Sequence, residues 1–226
     1  MTTFVLVPGA GGQAWYWHRL VPELAARGHE AIAVDLPAAD DRAGFAEYAD
    51  VVVAAIADRS AGLVLVGQSL GGFTVPLVAR RVPVDGIVLL NAMVPKPGES
   101  AGEWWEATGQ AAARAAYAER EGRSAEGFDP LVDFFHDVPQ DVAEVGLAGD
   151  VPQSGAPFEE PWPLPAWPDV PTRFLQGRED RFFPLEFQRR VVAERLPGVA
   201  VEELPGGHLL ALSRPVELAT ALMSVT

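Results

Sequence analysis

The sequence of 226 residues contains no cysteine. A chain without cysteine forms no disulfide bond, has no thiol nucleophile and offers no thiolate to a metal ion. It also lacks any apolar run near the ~20 residues that a membrane-spanning helix needs, and its first residues lack the basic and apolar regions of a signal peptide. We therefore expect a cytoplasmic location and no membrane partner.

Basic residues are scarce beside acidic ones, because 17 Lys and Arg stand against 31 Asp and Glu, which leaves a net charge of −14. Such a chain is repelled by anionic lipid and by the phosphate backbone of nucleic acids, so nucleic acid is not an expected partner. The remaining composition, with 49% hydrophobic and 21% charged residues, is typical of one globular domain.

Six short apolar segments alternate with helical patterns along the chain. This alternation predicts an α/β fold with a mostly parallel six-stranded sheet covered by helices on both faces. Functional residues of such sheets lie beyond the carboxyl ends of the strands. The predicted strands are 3–7, 30–34, 63–66, 86–90, 172–175 and 199–203, and the predicted helices are 17–27, 45–59, 70–80, 184–196 and 215–223.

One segment, 94–168, breaks the alternation and is rich in proline, glycine and tryptophan. We interpret it as a helical cap that is inserted into the core and lies over the active site. The boundaries predicted from this interpretation are 1–93 and 169–226 for the core, 94–168 for the cap, 103–121 and 140–147 for its helices, and 152–171 for an extended stretch.

The segment 67–71 reads Gly-Gln-Ser-Leu-Gly and matches the pattern G-x-S-x-G. It follows a predicted strand and precedes a predicted helix, which is the context that a nucleophile elbow requires. Glycines at the two ends of the pattern permit a tight turn that projects a side chain from the edge of the sheet. Ser69 is therefore the predicted nucleophile.

A serine hydroxyl needs a base, and the base needs a group that orients it. Among four histidines, only His208 is late in the chain and follows a predicted strand. His18 is in the first predicted helix, His29 precedes a strand, and His136 is in the predicted cap. His208 is therefore the predicted base.

The orienting acid is expected after another strand, between the serine and the histidine in sequence. Asp180 ends a polar turn after the fifth predicted strand and is the preferred candidate. Glu179 is its nearest rival, and Asp169 precedes the strand and is therefore at the wrong end.

An oxyanion intermediate needs two backbone N–H donors. The residue after the nucleophile, Leu70, is expected to supply one of them. The loop 8–12, which reads Pro-Gly-Ala-Gly-Gly, is expected to supply the other from Ala10. A phosphate-binding loop is the rival interpretation, but neither G-x-G-x-x-G nor a following G-K-[ST] is present, which argues against it.

These motifs together resemble the α/β-hydrolase family, in the branch that holds plant methyl-ester esterases and hydroxynitrile lyases. The resemblance covers almost the whole predicted core, whereas in the predicted cap it is limited to residues near 135–137. It is carried by the first strand and loop at 4–10 with 14–17, the elbow at 67–72, the acid turn at 177–184, and the terminal segment at 208–210 with Pro215 and Leu218.

The chain departs from this family at several positions. Pro8 replaces the histidine that usually precedes the oxyanion glycine, so a hydrogen bond behind that loop is expected to be missing. The lyases of the branch have threonine where Gly9 stands and, where Leu209 stands, a lysine that supports the departing cyanide, so the resemblance implies no hydroxynitrile lyase activity. Related dehalogenases and epoxide hydrolases use an aspartate nucleophile, which Ser69 excludes.

The sequence thus predicts a cofactor-independent and metal-independent serine hydrolase, most simply a carboxylesterase acting on small apolar or aryl esters through an acyl-enzyme. C–C bond hydrolysis, amidase or lyase chemistry with the same triad stays open, as does a small-molecule binder without activity, and a homodimer is also left open. The residues predicted to line the substrate pocket are Gly9, Trp104, Trp105, Phe135 and Leu209.

Overall fold

A computed structural model describes residues 1–59, 61–149 and 151–224. Its strands form one sheet in which every pair is parallel, in the order β2-β1-β3-β4-β5-β6. All six predicted strands are confirmed, with bounds of Thr3–Val7 (β1), Glu30–Ala33 (β2), Leu63–Gln68 (β3), Gly86–Leu90 (β4), Thr172–Gly177 (β5) and Val201–Leu204 (β6).

The strands β3 and β5 extend furthest beyond the carboxyl ends that the apolar patterns predict. Pairing continues to Gln68 opposite Leu90 in β3, and to Gly177 opposite Leu204 in β5. The apolar pattern stops earlier because these last positions carry a polar or a small side chain. The extension places Ser69 directly after the last paired residue of β3.

Alternate residues of the strands pack on opposite faces of the sheet, as the period of two in a strand requires. Val5, Leu65 and Leu89 belong to one buried cluster, whereas Leu6 and Val66 belong to the other. The central strands β1, β3 and β4 are buried at every position, which explains why they are apolar along nearly their whole length.

The helices of the core lie where the sequence predicts them, with shifts of a few residues at their ends. The largest shift is in the first predicted helix, whose beginning forms a short 3₁₀ turn at Ala14–Trp17 instead. The helices are Leu20–Ala26 (α1), Phe45–Ile56 (α2), Gly71–Ala79 (α3), Ala101–Thr108 (α4), Gln110–Arg120 (α5), Pro130–Asp133 (α6), Gln140–Ala148 (α7), Ala156–Glu159 (α8), Leu185–Arg195 (α9), Leu210–Ser213 (α10) and Pro215–Met223 (α11).

The prediction of one helix over 103–121 is wrong, because Gly109 separates α4 from α5. Its φ of 68° lies in the left-handed region, which ends an α-helix and favours glycine. Ser100 caps the beginning of α4 by accepting a hydrogen bond from the Glu103 N–H at 3.1 Å. The stretch predicted as extended, 152–171, contains the short helix α8.

The segment between β4 and β5 shares its buried side chains with the sheet. Trp104 and Trp162 belong to the same cluster as Phe73 of α3, and the indole N–H of Trp162 donates to the Phe73 carbonyl at 3.0 Å. The core and cap boundaries remain a prediction, and residues 225–226 of the predicted core lie outside the described part. None of the described helices combines the length and apolar character that spanning a membrane requires.

Candidate active site

Ser69 lies at a sharp turn between β3 and α3, and its φ of 50° is in the left-handed region. Non-glycine residues rarely adopt this conformation, which is typical of the nucleophile elbow. The flanking glycines are needed for space. A Cβ on Gly67 would lie 2.9 Å from the Gly71 carbonyl oxygen, and a Cβ on Gly71 would lie 2.8 Å from the Pro8 carbonyl oxygen.

His208 and Asp180 form a buried pair at the carboxyl edge of the sheet. The Nδ1 atom of His208 lies 2.8 Å from Oδ2 of Asp180, and both side chains are almost fully inaccessible to solvent. The other carboxylate oxygen, Oδ1, accepts hydrogen bonds from the N–H groups of Phe182 and Phe183, at 2.9 Å each. The carboxylate is therefore fixed in place, and its oxygen Oδ2 orients the imidazole.

The structure brings Ser69 and His208 to the wall of the same cavity. The hydroxyl of Ser69 makes no hydrogen bond to any described residue, and Nε2 of His208 lies 3.3 Å from Nε2 of Gln68. Catalytic hydrogen bonds are often open in a free enzyme and close when substrate binds. The structure therefore brings the three predicted residues Ser69, His208 and Asp180 together, without a hydrogen bond between the Ser69 hydroxyl and the His208 imidazole.

The rival acids lie elsewhere. Glu179 contacts the backbone of Gly206 through its carboxylate and through its own N–H, which donates to the Gly206 carbonyl at 3.0 Å. It thereby holds the loop before His208 and does not face the imidazole. Asp169 is exposed and precedes β5, at the edge of the sheet opposite Ser69.

The other histidines are also outside the cavity wall. His18 bonds to the Trp15 carbonyl at 2.8 Å in an exposed position, and His29 accepts from the Thr2 N–H at 3.3 Å. His136 packs against Gly207, and its burial lowers its pKa, which favours the neutral imidazole. Only His208 combines an acid partner with a place in the cavity.

The two amides predicted for the oxyanion hole, those of Ala10 and Leu70, donate to no residue in the described part of the chain. Their neighbours in the loop are anchored. The Gly9 N–H donates to Oε1 of Gln68 at 3.0 Å, and the Gly11 N–H donates to Oε1 of Gln153 at 3.1 Å. Two glutamine side chains thus hold the loop in place, and the missing hydrogen bond expected at Pro8 stays a prediction.

The cavity beside Ser69 has a volume of about 160 Å³. Its wall includes one tryptophan, one tyrosine, two phenylalanines and two leucines, and none of the described residues that line it is Asp, Glu, Lys or Arg. No group of three or more acidic or histidine side chains in the described residues could hold a metal ion. The lining residues are Pro8, Gly9, Ala10, Gly11, Gln13, Trp15, Tyr16, Gln68, Ser69, Phe134, Phe135, Gly146, His208, Leu209 and Leu212.

Three of the predicted pocket residues, Gly9, Phe135 and Leu209, line this cavity, but Trp104 and Trp105 do not. Trp104 is fully buried, and its indole N–H donates to the Val94 carbonyl at 3.1 Å. Trp105 packs beside it against Phe183, with ring centroids 5.9 Å apart. The two tryptophans therefore pack α4 against the turn after β5 and lie outside the cavity wall.

The imidazole of His208 lies among three phenylalanine rings. Phe134, from the predicted cap, stacks on it with centroids 4.9 Å apart and planes 17° apart. Phe182 and Phe183, from the turn after Asp180, approach it edge-on at 5.4 and 5.2 Å. These contacts hold the ring plane and keep water from one side of the base.

Sequence reasoning missed three buried amide side chains that organise the site. Asn91 donates to the carbonyls of Gly207 and His208 at 3.0 and 2.9 Å and accepts from the Gly177 N–H at 2.7 Å. Gln176 donates to Asp180 at 3.2 Å, and Gln68 contacts Gly9 and His208. Each is at the carboxyl end of a strand or directly after it, which is the signal that could have singled them out.

Comparisons with known proteins agree with this geometry. Residues 4–221 match the model of the alpha/beta hydrolase family. The probable esterase PIR7A of Oryza sativa subsp. indica is 40% identical over 110 residues, which cover 44% of this chain and 42% of the rice protein. A pyrethroid hydrolase of Sphingobium wenxiniae is 26% identical over 243 residues, covering 98% of this chain and 86% of that protein.

Solved structures give the same fold. The crystal structure of polyneuridine aldehyde esterase aligns with a TM-score of 0.79 at 24% identity, and the alignment covers 100% of this chain and 99% of that one. The chain spans about two fifths of the length of the rice esterase, which is 42% covered. Because the family model matches the chain from residue 4 to residue 221, the protein belongs to the alpha/beta hydrolase family.

Proposed function

We propose that the protein is a cofactor-independent serine carboxylesterase that acts on small, uncharged esters. One observation carries the proposal. His208 is held by Asp180 at 2.8 Å and lies in the wall of the cavity that Ser69 and Ala10 also line. These positions support the roles of Ser69 as nucleophile, His208 as base and Asp180 as orienting acid, with the N–H groups of Ala10 and Leu70 as the oxyanion donors that acyl transfer requires.

The reaction follows from these positions. Nε2 of His208 takes the proton of the Ser69 hydroxyl as its oxygen attacks the ester carbonyl carbon. The carbonyl oxygen becomes an oxyanion, which accepts hydrogen bonds from the N–H groups of Ala10 and Leu70. The intermediate collapses, His208 protonates the departing alcohol, and an acyl ester remains on the serine. A water molecule, deprotonated by His208, then hydrolyses the acyl-enzyme by the same steps.

The cavity supports the choice of substrate class. Its volume of about 160 Å³ is close to the roughly 150 Å³ of an engineered apolar cavity that binds benzene. Burial raises the pKa of Tyr16, so its phenol stays neutral. A neutral, largely aromatic wall suits an apolar acyl or alcohol group about the size of one ring, and offers no counter-ion to a charged one.

The names of the relatives favour ester chemistry over the alternatives. The rice protein is named a probable esterase, and a relative in Vitis vinifera is named methyl jasmonate esterase 1. Leu209 in the cavity wall offers no cation to a departing cyanide, which argues against lyase activity. A cytoplasmic location and a homodimer stay predictions.

A serine-directed phosphonate tests the proposal. We expect p-nitrophenyl acetate and butyrate to be hydrolysed, the activity to be lost after treatment with a fluorophosphonate, and mass spectrometry to locate the adduct on the peptide that contains Ser69. The matching p-nitroanilide of butyric acid should be turned over far more slowly. Efficient amide or 1,3-diketone cleavage with poor ester turnover would instead favour amidase or C–C hydrolase chemistry. Tight binding of ligands without turnover or adduct would favour a binder.

Gly146 of α7 offers a test of the cavity as the substrate pocket. A Cβ at this position would lie 2.9 Å from Cε1 of Phe135 and 3.0 Å from Cη2 of Trp15. Gly146→Ala should therefore push these rings into the cavity and reduce kcat/KM for butyrate relative to acetate by about 10-fold, since one methylene in a pocket is worth 10- to 200-fold. The measurement is the ratio of the two kcat/KM values.

Gly149→Ala is the matched control, because a Cβ there meets only the Val145 carbonyl oxygen at an ordinary 3.4 Å. Its acetate-to-butyrate ratio should equal that of the unmodified protein. An unchanged ratio in Gly146→Ala would show that the acyl group binds elsewhere.

A further inference from the structure

We infer that Gln68 is a positioning residue that couples the oxyanion loop to the catalytic base and keeps His208 in its proton-accepting form. This inference rests on the proposed function. Gln68 is the variable residue of the G-x-S-x-G motif, and its side chain is buried between the Gly9 amide and the imidazole of His208. Its two polar atoms contact the two halves of the catalytic machinery.

The orientation of the Gln68 amide follows from the Gly9 backbone. The Gly9 N–H can only donate, and it lies 3.0 Å from the carboxamide, so the atom that faces it must be the oxygen Oε1. The amide nitrogen Nε2 therefore faces His208, at 3.3 Å from its Nε2. Rotating the amide by 180° would place two donors against each other at Gly9, so the backbone prevents the flip.

The state of His208 follows from the same reasoning. Its Nδ1 faces the carboxylate of Asp180 at 2.8 Å and donates to it, because an ionised carboxylate only accepts. In a neutral imidazole the other nitrogen, Nε2, then carries the lone pair. The Gln68 amide can donate to this lone pair, but it opposes a proton on the same atom. The contact thus favours the form of His208 that can accept a proton from Ser69.

Gln68 also determines where the oxyanion loop lies. The position of a Cβ on Gly9 is 2.5 Å from Oε1 of Gln68 and 2.8 Å from Cβ of Ser69, so the loop approaches the elbow as closely as glycine permits. The next residue is Ala10, whose N–H is a proposed oxyanion donor. Losing the Gln68 acceptor would leave the buried Gly9 N–H unsatisfied and loosen the donor that follows it.

Two substitutions separate these roles. Gln68→Met keeps the length of the side chain but removes both contacts. Gln68→Glu keeps an acceptor for the Gly9 N–H and replaces the donor that faces His208 with a carboxylate oxygen, which favours the protonated imidazole. Gln188→Met is the matched control, because Gln188 is also a fully buried glutamine, and its amide donates to the Ala92 carbonyl at 3.0 Å, outside the cavity wall.

The test is the pH profile of kcat/KM together with NMR titration of the histidine rings, of which the chain has four. The acid limb of the profile and the His208 titration midpoint should both move to higher pH, by about 0.5–1 unit in Gln68→Met and about 1–2 units in Gln68→Glu. Only Gln68→Met should also lose about 10-fold or more in kcat at pH values above the acid limb, as expected for a displaced oxyanion donor. Gln188→Met should move neither midpoint.

The coupling to the base would be overturned if neither variant shifted the His208 titration midpoint or the acid limb from those of the unmodified protein. An equal fall in activity at every pH would also overturn it, since a purely structural role predicts that result. Full kcat in Gln68→Met above the limb would overturn the role in the oxyanion loop. The NMR titration needs no substrate, so it tests Gln68 even if no ester is hydrolysed and the proposed function fails.

Discussion

Replacing Ser69 with alanine is expected to reduce kcat for p-nitrophenyl butyrate by a factor of about 10⁶, the scale known for removal of a triad serine. The hydroxyl at this position is the only serine oxygen in the described cavity wall, and it makes no other hydrogen bond that its loss would break. The fold should persist, because alanine keeps the Cβ that the turn already accommodates. The measurement is steady-state hydrolysis at enzyme concentrations high enough to detect residual turnover.

Ser213 provides a matched control for this variant. It lies in α10, close in sequence to His208, and its buried hydroxyl has no partner in the described residues. Ser213→Ala should therefore keep nearly full activity. If Ser69→Ala retained more than a few per cent of kcat, while heat denaturation remained normal, the nucleophile would have to be another group or an activated water.

Changing Asp180 to asparagine should lower kcat by a factor of about 10⁴, as in other triads. The backbone N–H groups of Phe182 and Phe183 donate to one oxygen of residue 180, at 2.9 Å each. An asparagine must present its oxygen to these donors, so its NH₂ group faces Nδ1 of His208. The imidazole then holds its proton on Nε2 and cannot take the proton of Ser69. Hydrolysis rates and the NMR signature of the His208 tautomer are the measurements.

Glu179→Gln is the control for the acid assignment. Its carboxylate contacts the Gly206 N–H, and the amide oxygen of glutamine can accept the same bond. This variant should keep most of its activity. If Glu179→Gln had no hydrolytic activity while Asp180→Asn kept nearly all of it, the orienting acid would be Glu179.

Secondary-structure elements that depend on a local sequence pattern could be predicted from the sequence. The strands at 3–7 and 86–90 have the predicted bounds, because an apolar run between turn signals is enough to specify a buried parallel strand. Ser69, Asp180 and His208 were predicted from their places after strands. In a parallel sheet all those ends meet at one edge, so the order of elements already brings such residues close together.

Other features depend on which surfaces meet in space. Trp104 and Trp105 are aromatic residues of the predicted cap, but only the packing of α4 on Phe183 and Phe187 turns them away from the cavity. Phe134 and Phe135 are just as apolar, and both line it. Composition cannot distinguish the two pairs, because burial of an aromatic ring is equally favourable at either site.

The sequence by itself determined the fold family, the alternation of strands and helices that puts serine, acid and histidine at one edge of a parallel sheet, and the glycines that allow the elbow. Only the tertiary structure decided which polar side chains support them. Gln68, Asn91 and Gln176 acquire their roles from backbone groups 59 to 117 residues away in the chain or from neighbours across a turn. Hydrogen bonds are short-ranged and directional, so such partners become apparent only when the folded chain brings them within reach.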